Sequence, residues 1–392
     1  MATQTGSGVS NDQTRRHNLS TILTALHHDG SQPRSQLTAR SGLNRSTVAA
    51  LVGELRELGL AYETEPGQTN LVGRPSPMVN ADPRIVGIAI NPEVDAVTVG
   101  MVSLSGAVVE RIRIEPELPP TVDEAVRISL IAIEKLRESN PDRRVIGIGV
   151  AVPGLVRAND GLVRFAPHLE WVDAPIAQLL SDATGLPVQA ANDASLGAMA
   201  EKLFGAGRGK SDLIYLNGGA SGIGGGIIAN GAPIGGAEGY AGEFGHIRVN
   251  SSVGAYDDAE SGSLESEVSR SALLRALGLV SADGDELEAA LLASDDPDVA
   301  ALVHRQLEFL STSLRNAVNV LNPQLIVLGG FLGSIFARDP QFLVERVEAQ
   351  SLRPSFGSME IVRAKLGSDL LMIGAGELAF AGLLADPAAL RP

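Results

Sequence analysis

Asn44, Arg45, Ser46 and Thr47 stand together where a stretch of helical apolar spacing begins. Short or forked polar side chains at such a helix start can reach phosphates and base edges in a DNA major groove. A second signal follows in Gly73-Arg74-Pro75. A narrow extended segment of this kind lets its arginine enter an AT-rich minor groove, where the potential is most negative. Arg34, at the head of the preceding helical stretch, joins this set of DNA-contact candidates.

The elements that would position these residues can be read around them. Leu19, Ile22, Leu23 and Leu26 share one face of a helix expected over 20–28, and a short helix over 35–41 ends at Gly42. A third, over 46–58, carries Val48, Leu51, Val52, Leu55 and Leu58 as its apolar stripe and stops at Gly59. The tight Ser41-Gly42-Leu43-Asn44 turn makes the second and third a helix-turn-helix. Residues 60–63 and 70–79 would then pair as a two-stranded wing carrying Arg74. A three-helix module for oligomerisation or protein docking is the alternative; the order of polar helix start and Arg-bearing wing favours DNA. Asp82-Pro83 marks the boundary of an N-terminal winged helix-turn-helix domain, 1–80.

Charge tests that reading. The 392-residue chain has 31 Lys+Arg against 46 Asp+Glu, a net charge of −15 that argues against nucleic acid. Residues 1–80, however, hold seven Arg and six acids, so the acidity belongs to the remainder. The length suggests two or three domains. The absence of Cys excludes disulfides, thiolate metal sites and a cysteine nucleophile. No unbroken apolar run approaches the ~20 residues needed to span a bilayer, and the polar N-terminus has no signal-peptide stretch, so a cytoplasmic protein without membrane partners is expected.

From Arg84 onward the pattern is α/β. Strands are expected over 85–90, 96–103, 108–114 and 145–150, with a helix over 122–137. A similar order recurs in strands over 213–216, 223–228 and 325–328 and a helix over 299–320. Two such halves suit a ligand held between lobes.

Several motifs in this part carry a family resemblance. They are Val152-Pro153-Gly154-Leu155-Val156, Ala166-Pro167-His168-Leu169 with Trp171, and Ala191-Asn192-Asp193-Ala194. Further on come the segments 203–209 and 221–226, Gly242-Glu243-Phe244-Gly245-His246, and Ile326-Val327-Leu328-Gly329-Gly330. Together they resemble the ROK family of sugar kinases and sugar-responsive repressors over nearly the whole chain. The resemblance implies a two-lobed, actin-like sugar-kinase fold over 81–392. Lobe one would take about 84–190 plus a C-terminal helix over 371–392, and lobe two about 193–370. It also implies that Asp193 occupies the kinases' general-base position, with Asn192, Glu243, His246 and Glu265 as sugar contacts. Taken singly, Asn192-Asp193 also reads as a helix cap, Glu243 as a surface charge and His246 as a satisfied core residue.

Two departures from the family pattern bear on function. Where the kinases carry Asp and glycines in their first phosphate loop, this chain has Ala89 and Asn91-Pro92. Alanine holds no metal and proline has no N–H to offer a phosphate. The glycine loop over 218–226 survives. The family's structural-zinc cysteines fall here on Tyr256, Asp258 and Ser263, so a tetrahedral zinc site is not expected. Hydrogen bonds or packing must then fix the segment 250–263. The expectation is a non-enzymatic, sugar-responsive repressor of carbohydrate genes, without zinc or ATP. It would bind operator DNA as a homodimer or homotetramer and respond to a carbohydrate or sugar phosphate. An active kinase that also binds DNA, and a DNA-binder with a vestigial pocket, are the rival readings.

Overall fold

The polar stretch ahead of Leu19 is helical in the computed structural model, which describes residues 11–65, 76–251 and 262–390. Helix α1 runs Asn11–Asp29, beginning well before the expected residue 20. Its first half has no apolar stripe for periodicity to detect. Ion pairs hold it instead: Arg15 with Glu54, and Arg16 with Asp386 at 2.7 Å. A two-residue strand β1 (Gln32–Pro33) leads into α2 (Arg34–Ser41), which ends at Gly42 with φ 68°. Helix α3 (Arg45–Glu57) follows, then β2 (Ala61–Thr64) and β3 (Met78–Ala81). The wing differs from the two-stranded expectation. Strand β1 pairs antiparallel with β3, giving the order β1-β3-β2. A two-residue strand is too short to show alternation. Gly73-Arg74-Pro75 lies outside the described residues.

Three residues after β3 the first body strand begins, with Asp82 buried beneath Arg84 at 2.6 Å. Strands β4 (Ile85–Pro92), β5 (Val97–Ser103) and β6 (Val108–Ile114) form a meander. Helix α4 (Val122–Ser139), capped by Thr121, crosses to β7 (Arg144–Val152). A small sheet of β8 (Leu155–Val156), β9 (Val163–Ala166) and β10 (Trp171–Ala174) precedes α5 (Ile176–Thr184) and β11 (Val188–Asn192). The sheet order is β11-β7-β4-β5-β6.

Helix α6 (Asp193–Phe204) leads to the second lobe, which repeats the plan. Strands β12 (Leu213–Gly218), β13 (Ile223–Ala229) and β14 (Ala232–Pro233) form its meander. Helices α7 (Leu264–Glu267), α8 (Arg270–Ala276), α9 (Gly284–Ala293) and α10 (Pro297–Leu321) then lead to β15 (Leu325–Gly329). After α11 (Gly330–Arg338), α12 (Pro340–Gln350) and α13 (Arg353–Phe356), β16 (Glu360–Arg363) completes the order β14-β13-β12-β15-β16. In both sheets the first meander strand continues through two parallel crossover strands.

Helix α14 (Leu370–Ala385) returns to lie on β4 and β7 and against α6. By length and composition Gly367–Ala385, with mean hydropathy 1.5, is apolar enough to cross a membrane. Here α14 is a core helix, with Met372, Ile373, Ala375 and Phe380 buried. Its approach to the sheet requires glycine: a Cβ on Gly149 of β7 would fall 1.8 Å from the Ala375 carbonyl oxygen. The apolar core of the head (Leu19, Leu23, Leu26, Val48, Val52, Leu55) runs without interruption into Ile85, Val102, Leu104, Leu196 and Phe380. Head and first lobe thus share one core.

Candidate functional site

On the head, the Asn44 side-chain oxygen caps α3. It accepts from the Thr47 N–H at 2.8 Å and from the Ser46 hydroxyl at 2.7 Å. The cap leaves Arg45 and Ser46 exposed at the start of the helix, with Thr47 half-buried. Arg34 is otherwise engaged, its guanidinium forking onto Glu63 of β2, with Nη2 to Oε2 at 2.7 Å. Arg15, Arg16, Arg40 and Arg56 are also in ion pairs. Arg45 has no ion pair among the described residues. Arg74 lies outside them.

In the body, strand β11 ends at Asn192 and α6 starts at Asp193. Asn192 caps that helix, accepting from the Ser195 N–H at 2.9 Å, while its amide donates to the Gly154 carbonyl at 3.1 Å. The cap reading is therefore correct for Asn192, and the same carboxamide ties the Val152-Pro153-Gly154 turn to the site. Asp193 accepts from the Ala194 N–H at 2.7 Å. Burial nevertheless pushes its carboxyl up to about 7, and the negative charges of Glu93 and Glu243 add to the rise.

Glu243 immediately precedes a single helical turn, Phe244–His246. Burial raises its carboxyl, His246 opposes the rise and Glu265 adds to it. His246 is exposed, with Nδ1 3.5 Å from Glu265 Oε1. Glu265 sits in the first turn of α7, with Oε2 3.4 Å from the Ile223 N–H. Two glycines make room for it. A Cβ on Gly222 would stand 2.5 Å from Oε2, and one on Gly245 2.9 Å. The three sequence-predicted acids and the one imidazole thus form one electrostatically linked series from Asp193 to Glu265.

In the first lobe, Ala89 is fully buried among core residues shared with α14. The β4–β5 ladder continues through Asn91 and Pro92, opposite Thr98 and Val97. The strand therefore does not open into a loop of free amides. Glu93 follows at once. Its carboxyl is raised by burial and by Asp95, against Arg113, and its charge acts on Asp193. Sequence reasoning read this segment only as a loss and missed Glu93. An acid beside Pro92, where glycines are expected, was the available signal. The glycine stretch 218–226 is a hairpin turn between β12 and β13, closed by the Gly219 N–H to the Gly222 carbonyl at 2.9 Å.

The residues do not fit the family's zinc. The chain has no Cys, and the Ser263 hydroxyl caps α7, accepting from the Ser266 N–H at 3.3 Å. Tyr256 and Asp258 lie outside the described residues. The ends of that segment are joined by backbone bonds from Val249 and Asn250 to the Gly262 carbonyl, at 2.9 and 3.0 Å.

Residues 88–381 match the model of the ROK family. A xylose repressor of Caldicellulosiruptor bescii is 28% identical over 376 residues, covering 90% of this chain and 93% of the relative. A glucokinase of Halalkalibacterium halodurans is 32% identical over 251 residues, 60% of this chain and 76% of the enzyme. Among solved structures, a ROK family transcriptional regulator described as a homolog of the E. coli MLC protein superposes with a TM-score of 0.76 and 23% identity. It covers 95% of this chain and 97% of its own. A Streptomyces griseus ROK glucokinase, solved with glucose and AMPPNP, gives 0.60 and 25% over 76% of this chain and all of its own.

Proposed function

The chain belongs to the ROK family, and from that premise we propose that it is a sugar-responsive, DNA-binding repressor of carbohydrate genes whose kinase-like body senses sugar without phosphorylating it. One observation carries the reading: the cleft keeps the sugar-side acids Asp193, Glu243 and Glu265 while Glu93, another acid, follows Pro92 on the phosphate side. Carboxylates accept hydrogen bonds from neighbouring hydroxyls, and Asp193, raised to about 7, also donates one in its protonated form. The same charges repel phosphate. The effector is therefore a neutral aldose, in keeping with relatives named for xylose and glucose, rather than a sugar phosphate.

A path from sugar to DNA supports this reading. Asp193 opens α6, α6 packs on α14, and α14 touches α1 of the head across a shared core. A sugar that binds one arrangement of α6 more tightly than another biases the head by that difference in affinity. Arg45 and Ser46 meet DNA from the start of α3, and Arg74 from the wing; Arg34 serves mainly to hold α2 to β2. Two heads in a homo-oligomer compensate for the near-neutral charge of each.

The test is a DNA titration at fixed salt, using the fragment upstream of the protein's own gene, with Arg45→Ala and Arg74→Ala. Each change should weaken DNA binding while leaving sugar binding intact. Unaltered DNA affinity in either variant removes that contact from the account. The kinase reading draws on Asp193, whose carboxyl near 7 suits a general base. Hexose-dependent consumption of ATP that Asp193→Asn abolishes would establish that reading instead.

A further inference from the structure

Away from both the cleft and the DNA-reading helix, His27 and His28 at the end of α1 meet Glu377 of α14. One nitrogen of each ring and a carboxylate oxygen all lie within 4.8 Å of one another. His27 is 1% exposed, and its Nδ1 stands 2.7 Å from the Leu104 carbonyl oxygen. A carbonyl only accepts, so Nδ1 carries a hydrogen; the Glu377 carboxylate likewise accepts from Nε2, whose hydrogen an incoming metal ion would displace. Imidazoles that hold metals are oriented in this way, with the far nitrogen anchored to a carbonyl or carboxylate. His28 Nε2 approaches the other Glu377 oxygen at 3.2 Å. Phe204 packs edge-on against both rings, and Phe380 against His27, fixing their planes.

Zinc-class ions bind imidazole nitrogen and carboxylate oxygen at about 2.0–2.2 Å in tetrahedral sites. That geometry places ligand atoms about 3.3 Å apart. His28 Nε2 and Glu377 stand near that spacing at 3.2 Å, and the direct His27–Glu377 hydrogen bond would open to admit the ion. The His28 side chain is 23% exposed, which leaves an open side for entry of the ion and for a water as fourth ligand. Neither the sugar site nor the DNA face uses these three residues.

We propose that His27, His28 and Glu377 form a binding site for one divalent transition-metal ion of the zinc class, which clamps the DNA-binding head to the body. The ligands come from α1 and α14, and the Leu104 carbonyl that orients His27 follows β5. Metal would thus fasten the junction between head and first lobe. The site itself stands independently of the sugar-sensing reading.

The experiment is equilibrium binding of Co²⁺ and Zn²⁺ to the full chain, with thermal unfolding measured across the same titrations. The expected result is one ion per chain, a visible absorption band from Co²⁺ in a low-coordinate site, and an unfolding temperature that rises with metal. His28→Gln changes a partly exposed residue, and Glu377→Gln keeps its shape. Each should weaken binding about tenfold or more and remove the thermal shift. His246→Ala, in the cleft, should leave both readouts unchanged. No metal uptake would show the cluster to be an ion pair only and overturn the proposal. So would uptake that survives both His28→Gln and Glu377→Gln, or that His246→Ala removes.

Discussion

The two sides of the proposed cleft differ in what they offer a ligand. On the proposed sugar side, Asp193, Glu243, His246 and Glu265 come from α6, the Glu243–His246 turn and α7, yet they act on one another's charge. On the phosphate side, Ala89 is absorbed into the core, the β4–β5 ladder runs through Pro92, and Glu93 adds negative charge. In the function proposed above, the site keeps its recognition chemistry while ordinary strand and core packing takes the place of its reaction chemistry. Recognition needs only fixed donors and acceptors. Phosphoryl transfer also needs an open backbone and charge neutralisation.

The largest effect expected from breaking this comparison is at Ala89. Ala89→Asp places a carboxylate without a cation against α14 and should cost about 3–5 kcal/mol in urea unfolding, with no gain of ATP-dependent turnover. A stable variant that phosphorylates sugar would mean that the phosphate side is only one residue from function. On the other side, Glu243→Gln removes a charged acceptor. It should weaken aldose binding about tenfold or more by calorimetry, with little change in unfolding temperature.

A smaller effect concerns Asp193 and pH. Its folded carboxyl, at about 7, lies above the ordinary 3.8, so the folded state favours the protonated form. The stability this contributes is complete below the ordinary value and is lost as pH rises through about 7. Asp193→Asn should therefore gain unfolding temperature over the parent between pH 5 and 8, most at the alkaline end, when both are measured without sugar. An unchanging difference would mean that Asp193 is ionised throughout. The smallest effect is expected from Glu93→Gln, which removes one of the negative charges that raise Asp193. The pH midpoint of that same difference should move down, and an unmoved midpoint would place Glu93 outside the site's field.

The central strands, the two long helices and the grouping of Asp193, Glu243, His246 and Glu265 were legible in the sequence because each has a local signature: alternation, 3.6-residue spacing, or a short motif such as Gly242–His246. Other features depend on distant partners. The first half of α1 rests on ion pairs to Glu54 and Asp386 rather than on an apolar stripe. Strand β1 exists because β3 runs beside it. The fork of Arg34 onto Glu63, twenty-nine residues on, leaves no trace in local spacing. His27 falls on the buried face of α1, and its partner Glu377 lies 350 residues away.

The central claim is that the body converts sugar occupancy into a change of DNA affinity without chemistry. The most direct measurement titrates the upstream DNA fragment with the full chain, with and without a panel of neutral aldoses and their phosphate esters, in the presence of Mg²⁺ and ATP. The account predicts that a neutral aldose shifts the DNA-binding midpoint, that its phosphate ester does not, and that no sugar phosphate accumulates. A midpoint indifferent to every aldose, or sugar phosphate formed in step with ATP loss, would contradict it.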